Sequence, residues 1–144
     1  MGRLDKAIEY FQKVMVNDPG NTKARSRIAN IYIRKKDYDR AITEFEKLSD
    51  MDRDDLAVRV KIGLLHLEQK RFDEAIREFS LALAAKPNDD AARLYLAIAW
   101  REKGDLKKTV DELLKIGYGS KEFHTALQTL AAIYVKERRV DEGI

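Results

Sequence analysis

The feature that most limits how this chain can fold is a 34-residue repeat that runs through its length without an insertion. Residues 3–21 (RLDKAIEYFQKVMVNDPGN), 37–55 (DYDRAITEFEKLSDMDRDD) and 71–89 (RFDEAIREFSLALAAKPND) are copies of one pattern, each 34 residues after the last. A fixed period of this size is typical of a solenoid, in which every copy is one supersecondary unit packed against its neighbours.

The spacing of apolar residues inside each copy predicts helices. In residues 71–89 the apolar positions Ala75, Phe79 and Ala82 are four and three residues apart, which is the period of one face of an amphipathic helix. The same spacing recurs in the stretch between copies, so each unit has a first and a second helix. We predict nine helical segments, at 3–17, 22–35, 38–51, 55–69, 72–85, 89–103, 106–116, 121–136 and from about 140.

Polar and turn-forming residues mark where these helices begin and end. The breaks DPGN and KPND each place a polar residue before a first helix, and we predict Asn21, Asp55 and Asp89 as the caps of the helices that follow. The junction KIGYGSKEF departs from the repeat. There we predict that Gly117 ends its helix about one turn early and that Ser120 caps the next helix.

Columns of small and aromatic residues identify the repeat. A small residue is followed three positions later by a ring in four copies: Ala29 and Tyr32, Gly63 and His66, Ala97 and Trp100, Ala131 and Tyr134. With the column Phe11, Phe45 and Phe79, this pattern resembles the tetratricopeptide repeat family, whose unit is a 34-residue helix–turn–helix. The resemblance implies an all-α fold, a right-handed superhelical solenoid of antiparallel helix pairs. It implies one array over residues 1–144, with a partial unit at 1–21 that is a second helix only, full units at 22–55, 56–89 and 90–123, and a partial unit at 124–144.

Arginine recurs at a position where the family usually has Trp or Leu, namely Arg25, Arg59 and Arg93. One interpretation is a ladder of cations for an acidic partner. In the other, the aliphatic stems cover the helix pair and the guanidinium groups pair with recurrent acids. Those acids are Glu44, Glu78 and Glu112.

Composition narrows the classes of function. The chain has 28 basic and 25 acidic residues and a net charge of +3, a balance that argues against a nucleic-acid partner. It has no cysteine, which excludes disulfides and zinc–thiolate sites. No apolar run approaches the roughly 20 residues that span a bilayer, so we expect no membrane insertion. The chain starts inside a repeat, which suggests a fragment of a longer protein, and any targeting segment of that protein would be missing. We expect a soluble protein and favour the cytoplasm, but the sequence leaves the compartment open.

No set of catalytic or metal-binding residues converges in the sequence. His66 and His124 are the only histidines; His66 lies in the ring column and is interpreted as a packed residue, and neither has further ligands at metal-binding spacing. There is no nucleophile motif and no glycine-rich phosphate loop. We therefore predict that the chain is not an enzyme and uses neither a cofactor nor a metal.

The resemblance implies that the first helices line a concave groove and the second helices form its back. Helical spacing predicts these residues at the groove: Lys23, Arg27, Asn30, Ile33 and Arg34; Val60, Lys61, Leu64 and Leu67; Leu94, Tyr95, Ile98 and Arg101. The groove then has an apolar centre and a basic N-terminal wall, which favours a scaffold that binds a peptide or partner helix with apolar and acidic residues. In the competing interpretation Val60, Leu64, Leu94 and Ile98 only pack between neighbouring first helices.

An alternative function is self-association through the ends of the array. Helix 3–17 would present Ile8, Phe11 and Met15 without a partner helix from its own unit. An exposed apolar end of this kind favours a homo-oligomer.

Overall fold

Eight α-helices account for most of residues 2–143, the part of the chain that this computed structural model describes. They are α1 Arg3–Asn17, α2 Thr22–Arg34, α3 Tyr38–Met51, α4 Leu56–Glu68, α5 Phe72–Ala85, α6 Asp90–Lys103, α7 Leu106–Leu114 and α8 Phe123–Asp141. None of residues 2–143 lies in a strand. The all-helical fold is confirmed, and three of the nine predicted segments, α1, α3 and α5, have the predicted bounds; the right-handed superhelix stays a prediction.

Side-chain caps begin two of the first helices as predicted. Asn21 Oδ1 accepts a hydrogen bond from the Ala24 N–H (2.9 Å), and Asp89 Oδ1 accepts one from the Ala92 N–H (3.1 Å). Each cap satisfies one of the backbone donors that a helix start leaves unpaired.

The predicted cap residue of α4, Asp55, lies at the N-cap position, but its side chain does not cap the helix. The Asp55 carboxylate accepts no capping hydrogen bond and is exposed. In this turn, which lacks the proline of the other two, Asp52 is the residue whose side chain binds the backbone, accepting from the Asp54 N–H at 3.1 Å.

A tight turn joins the first helix of a pair to the second. Lys36, Lys70 and Gly104 occupy the same position of the repeat and have φ of 60°, 60° and 98°, the left-handed region. After Lys36 and Gly104 the next residue donates its N–H back into the first helix, Asp37 to Tyr32 O at 2.8 Å and Asp105 to Trp100 O at 2.9 Å. These short reversals accompany the close packing of α2 with α3 and of α6 with α7.

The chain divides into two compact units, Met1–Gln69 and Lys70–Ile144. In the first, α1 to α4 pack in chain order around one apolar cluster. Its buried members are Ile8, Ile28, Ala29, Ile31, Tyr32, Ala41, Ile42, Phe45, Leu48, Ile62 and Leu65. The small column lets α2 and α3 approach closely, since Ala29 and Ala41 have no exposed surface and Phe45 is 1% exposed.

In the second unit α5 to α8 also pack in chain order. Phe79 is fully buried, and a further cluster joins α6, α7 and α8. Its buried members are Ala97, Leu113, Ile116, Ala126, Leu130 and Ile133. Thr109 replaces the alanine of earlier copies and is 1% exposed; its hydroxyl donates to Asp105 O at 2.8 Å, so no polar group is left unpaired there.

The C-terminal quarter departs from the predicted bounds. α7 ends early, as predicted, but at Leu114 rather than Gly117. Ser120 is not the cap of α8: the Ser120 hydroxyl makes no hydrogen bond within residues 2–143, and α8 starts at Phe123. The Gly117 N–H instead donates to Asp90 Oδ2 at 3.2 Å.

The predicted end at 136 and the separate ninth segment from about 140 are also wrong, because α8 continues to Asp141. Residues 137–141 (ERRVD) contain neither glycine nor proline, so nothing local interrupts the helix. An ion pair from Arg138 Nε to Glu142 Oε1 (2.9 Å) spans its last turn. Ile144 lies outside the described residues.

Candidate partner-binding groove

A groove of about 600 Å³ lies between α2, α3 and α4 in the first unit. It is lined by Thr22, Lys23, Ser26, Arg27, Asn30, Phe45, Leu48, Asp52, Asp55, Ala57, Val58 and Lys61. Four predicted residues are thereby brought together: Lys23, Arg27, Asn30 and Lys61.

Three cations in this groove have no acidic partner. Lys23, Arg27 and Lys61 are exposed, and none of them forms an ion pair with a carboxylate of residues 2–143. The Lys61 ammonium lies 5.4 Å from the centroid of the Phe45 ring, a cation–π distance that holds the charge above the groove floor. The lining therefore combines two carboxylates, those of Asp52 and Asp55, with three cations that form no ion pair in the described part of the chain.

Sequence reasoning missed the floor of the groove. Phe45 and Leu48 come from α3, and Asp52 directly follows its end. The repeat pattern predicts α3, a second helix, at the back of the array. Phe45 and Leu48 are 1% and 7% exposed, so the floor offers little apolar area. The alanine–phenylalanine column signalled that α3 is buried against α2, but not that its flank closes the groove from below.

The other predicted residues of the first unit lie outside the lining of this groove. Ile33 packs against the core cluster, and Arg34 is exposed at the end of α2. Val60, Leu64 and Leu67 of α4 are half-buried.

In the second unit the predicted apolar residues contribute to packing. Leu94 packs against the cluster that joins α6, α7 and α8, which favours the packing interpretation for this residue. The ring of Tyr95 lies 5.7 Å from that of Phe79. Ile98 is half-buried.

Arg101 lines a second, larger cleft of about 930 Å³ between the end of α6, the start of α7 and α8. Its apolar lining includes Leu106, Ala132 and Val140. Ala132 occupies the repeat position of Leu64 and Ile98, so a smaller side chain leaves this space open.

The repeated arginines Arg25 and Arg93 are held in ion pairs. Arg25 Nη1 lies 2.7 Å from Glu44 Oε2, and the two side chains are 16% and 15% exposed. Arg93 Nη1 lies 2.7 Å from Glu112 Oε2, at 13% and 16% exposure. For these two positions the pairing interpretation is confirmed and the cation ladder is wrong, because a guanidinium that is shielded and neutralised is not offered to a partner.

The histidines form no catalytic or metal-binding constellation in the described residues. His66 is half-buried in α4, whereas His124 is exposed in α8 with its Nε2 3.2 Å from Gln128 Nε2. Within residues 2–143 no three His, Asp or Glu side chains are grouped so as to hold a metal ion. No helix in that range is both long and apolar enough to cross a membrane.

Two sequence profiles, both described as tetratricopeptide repeat, match residues 1–61 and 60–116. A comparison with curated proteins finds no match.

Several solved structures share the fold. A crystal structure of MamA aligns with a TM-score of 0.79 at 21% identity, over 96% of this chain and 81% of that one. MamA of Desulfovibrio magneticus RS-1 (residues 41 to the end) gives 0.68 at 21% identity over 79% and 64%, and MamA of AMB-1 gives 0.67 at 24% over 79% and 62%. The chain thus spans less than two thirds of the last two, and identities this low establish a shared fold alone.

Proposed function

The chain belongs to the tetratricopeptide repeat family, a fold that serves protein–protein interaction, and we propose that it is a non-catalytic scaffold whose α2–α3–α4 groove binds a peptide or a partner helix. The observation that carries this proposal is the set of three exposed cations, Lys23, Arg27 and Lys61, none of which forms an ion pair with a described acid of the chain. A soluble protein that leaves cations unpaired in one concavity attracts a negatively charged partner there.

The geometry refines the chemistry of the partner. Because the groove floor is largely covered by its own core, acidic side chains of the partner supply the contacts to the groove itself. Apolar side chains of the partner meet the half-buried residues Val60, Leu64 and Leu67 of α4. Charge then sets orientation and the rate of association, and apolar burial supplies about 25 cal/mol per Å² before the costs of binding.

The test begins by selecting binders from a displayed library of random 12-residue peptides on the whole chain, and measuring the selected peptide by fluorescence polarisation. We expect selected peptides to be acidic. The variant Lys23→Glu/Arg27→Glu/Lys61→Glu should lose about tenfold in affinity, since three exposed charge contacts at about 0.5 kcal/mol each add to that factor.

The matched control reverses three exposed cations outside the groove, Arg77→Glu/Lys107→Glu/Lys121→Glu, which changes the net charge by the same amount. It should bind the peptide within about twofold of the wild type. An equal loss in both triple variants, or no loss in the first, would contradict the groove proposal.

A second candidate function is self-association through the terminal helices. It is favoured by the exposure of Tyr10 in α1 and Leu127 in α8, at 63% and 48%.

A further inference from the structure

The buried phenylalanine of a second helix supports the side chain that lies sixteen residues later on the next first helix. The Lys61 ammonium lies 5.4 Å from the centroid of the Phe45 ring, and the ring of Tyr95 lies 5.7 Å from that of Phe79, with 32° between the two planes. Lys61 and Tyr95 occupy the same position of the repeat. The first contact lies within the first unit and the other within the second unit. A buried ring at one repeat position therefore holds a cation in one case and an aromatic ring in the other.

The three cations of the α2–α3–α4 groove differ in this support. Arg27 occupies the repeat position of Lys61, 34 residues earlier. Yet no ring of residues 2–143 lies over the Arg27 guanidinium or the Lys23 ammonium as Phe45 lies over Lys61. All three cationic side chains are exposed. Among them, Lys61 is thus the one that a ring of the described chain restrains.

A restrained ammonium loses less freedom when it binds a carboxylate. A lysine side chain that a partner fixes in place gives up rotamer entropy, and this loss opposes binding. The cation–π contact with Phe45 restricts Lys61 before any partner arrives. The ring lies on one side of the ammonium, whose three N–H donors can be shared between the ring and a carboxylate of the partner.

Phe45 can act on a partner only through Lys61. The Phe45 side chain is 1% exposed, so a partner gains almost no apolar burial from it. Its contribution to binding is to hold the Lys61 ammonium at one place in the groove, which makes Phe45 a positioning residue.

We propose that Lys61 fixes the orientation of an acidic partner in the groove by binding one of its carboxylates, and that Phe45 positions Lys61 for this contact. Lys23 and Arg27, which no described ring restrains, attract the partner from a distance and speed its association. The inference rests on the proposed function of the groove and names the residue that determines specificity there. Peptides that bind should therefore require an acidic residue at one position, whereas the positions of their other acidic residues should vary.

Substitutions that remove one charge at a time test the role of Lys61. The probe is the acidic peptide selected on the whole chain, and stopped-flow fluorescence measures its association and dissociation rates. Lys61→Met should raise the dissociation rate about fivefold with little change in the association rate, because a positioned charge contact acts mainly on dissociation. Lys23→Met and Arg27→Met should each lower the association rate by less than about twofold and leave the dissociation rate unchanged. Lys61→Arg keeps both the charge and the contact with the ring, and should bind within about twofold of the wild type.

A double-mutant cycle tests the role of Phe45. In the Phe45→Leu background, Lys61→Met should change the dissociation rate by only about twofold, because the restraint on the ammonium is already lost. Phe79→Leu is the matched control, since it removes an equally buried ring from the second unit. In that background the effect of Lys61→Met should stay at about fivefold. Circular dichroism at the temperature of the binding measurement verifies that each variant is folded.

Nuclear magnetic resonance measures the contact without altering the core. In the wild type, the ring current of Phe45 should shift the Hε resonance of Lys61 upfield of that of Lys23. The shift should persist when the peptide is bound. This measurement applies even if Phe45→Leu does not fold.

Three results would each overturn the inference: equal losses in the three methionine variants, an effect of Lys61→Met that is the same with and without Phe45, or a Lys61 resonance without an upfield shift. Failure of the groove proposal is a different result, in which the peptide binds Lys23→Glu/Arg27→Glu/Lys61→Glu as well as it binds the wild type. If that variant loses affinity while the three single variants lose it equally, the groove is the binding site and only the role of Lys61 is wrong.

Discussion

At the scale of single residues, the ion pairs inside the helix pairs are nearly buried yet not isolated from other charges. Glu44 also has Lys47 at 3.6 Å, and Glu112 has Lys115 at 3.3 Å, both of them more exposed. A pair of this kind contributes less to the free energy of unfolding than its short distance indicates, because desolvation offsets the attraction. Removing one member of the pair is costly to the free energy of unfolding, because the other charge then stays shielded from water without its partner.

This argument predicts the result of a double-mutant cycle at the first pair. Arg25→Leu and Glu44→Tyr should each lower the free energy of unfolding by about 1–3 kcal/mol, because each leaves a charged group shielded from water without its main partner. The double variant, which removes both charges together, should lose less than the sum by about 1 kcal/mol or more. Urea denaturation measures all three.

The exposed pair of Lys13 and Glu9, at 76% and 55% exposure, is the control cycle and should give a coupling below about 0.5 kcal/mol. Additive effects at Arg25 and Glu44 would contradict the prediction.

At the scale of elements, the helix bounds follow from the sequence where the repeat is regular and fail where it is not. Apolar spacing and the Asn21 and Asp89 caps place most of the helices, since these are local effects of chain geometry. The end of α8 could not be predicted by analogy, because Arg138 occupies the turn position of Lys36 and Gly104 but lies within a continuous helix. The groove was predicted on its α2 and α4 sides but not on its α3 side, because the flank of α3 that closes it depends on the packing of three helices.

Substitutions at two equivalent positions of the turn between paired helices should change the free energy of unfolding in opposite directions. Gly104 has φ of 98° and open space around it, so Gly104→Ala should lower the free energy of unfolding by about 1 kcal/mol through backbone strain alone. Lys36 has φ of 60°, and Lys36→Gly should leave stability unchanged or raise it by up to about 1 kcal/mol. Urea unfolding midpoints of both variants provide the comparison.

Gly20→Ala is the control, because Gly20 does not have positive φ and its nearest contact would be Asp18 Oδ1 at 3.9 Å. It should shift the midpoint far less than Gly104→Ala does. Equal shifts would mean that backbone conformation is not the cause.

At the scale of the whole molecule, the family and the all-helical fold could be predicted from the 34-residue period, because the period is a property of the entire chain. The partner could not, because the same stacking residues serve any ligand. What distinguishes this chain lies at a few positions that break the repeat: Lys23 and Arg27 in the groove, and Tyr10 and Leu127 at the ends.

Association through the ends would couple stability to concentration. The melting temperature of the wild type should rise with protein concentration, because anything that binds only the folded state stabilises it, by about 2.7 kcal/mol at 100 times the dissociation constant. The melting temperature of Leu127→Arg should not depend on concentration over the same range. Differential scanning calorimetry at a fixed scan rate measures both, and a concentration dependence that is equal in the two proteins would contradict the link.

The invariant register of the Arg25–Glu44 and Arg93–Glu112 contacts has a consequence for the ancestry of such a chain. Each contact is completed within one repeat, so a duplication or loss of 34 residues in the gene would carry whole contacts with it and would sever none. Copy number can then drift in evolution while each surviving junction keeps its chemistry.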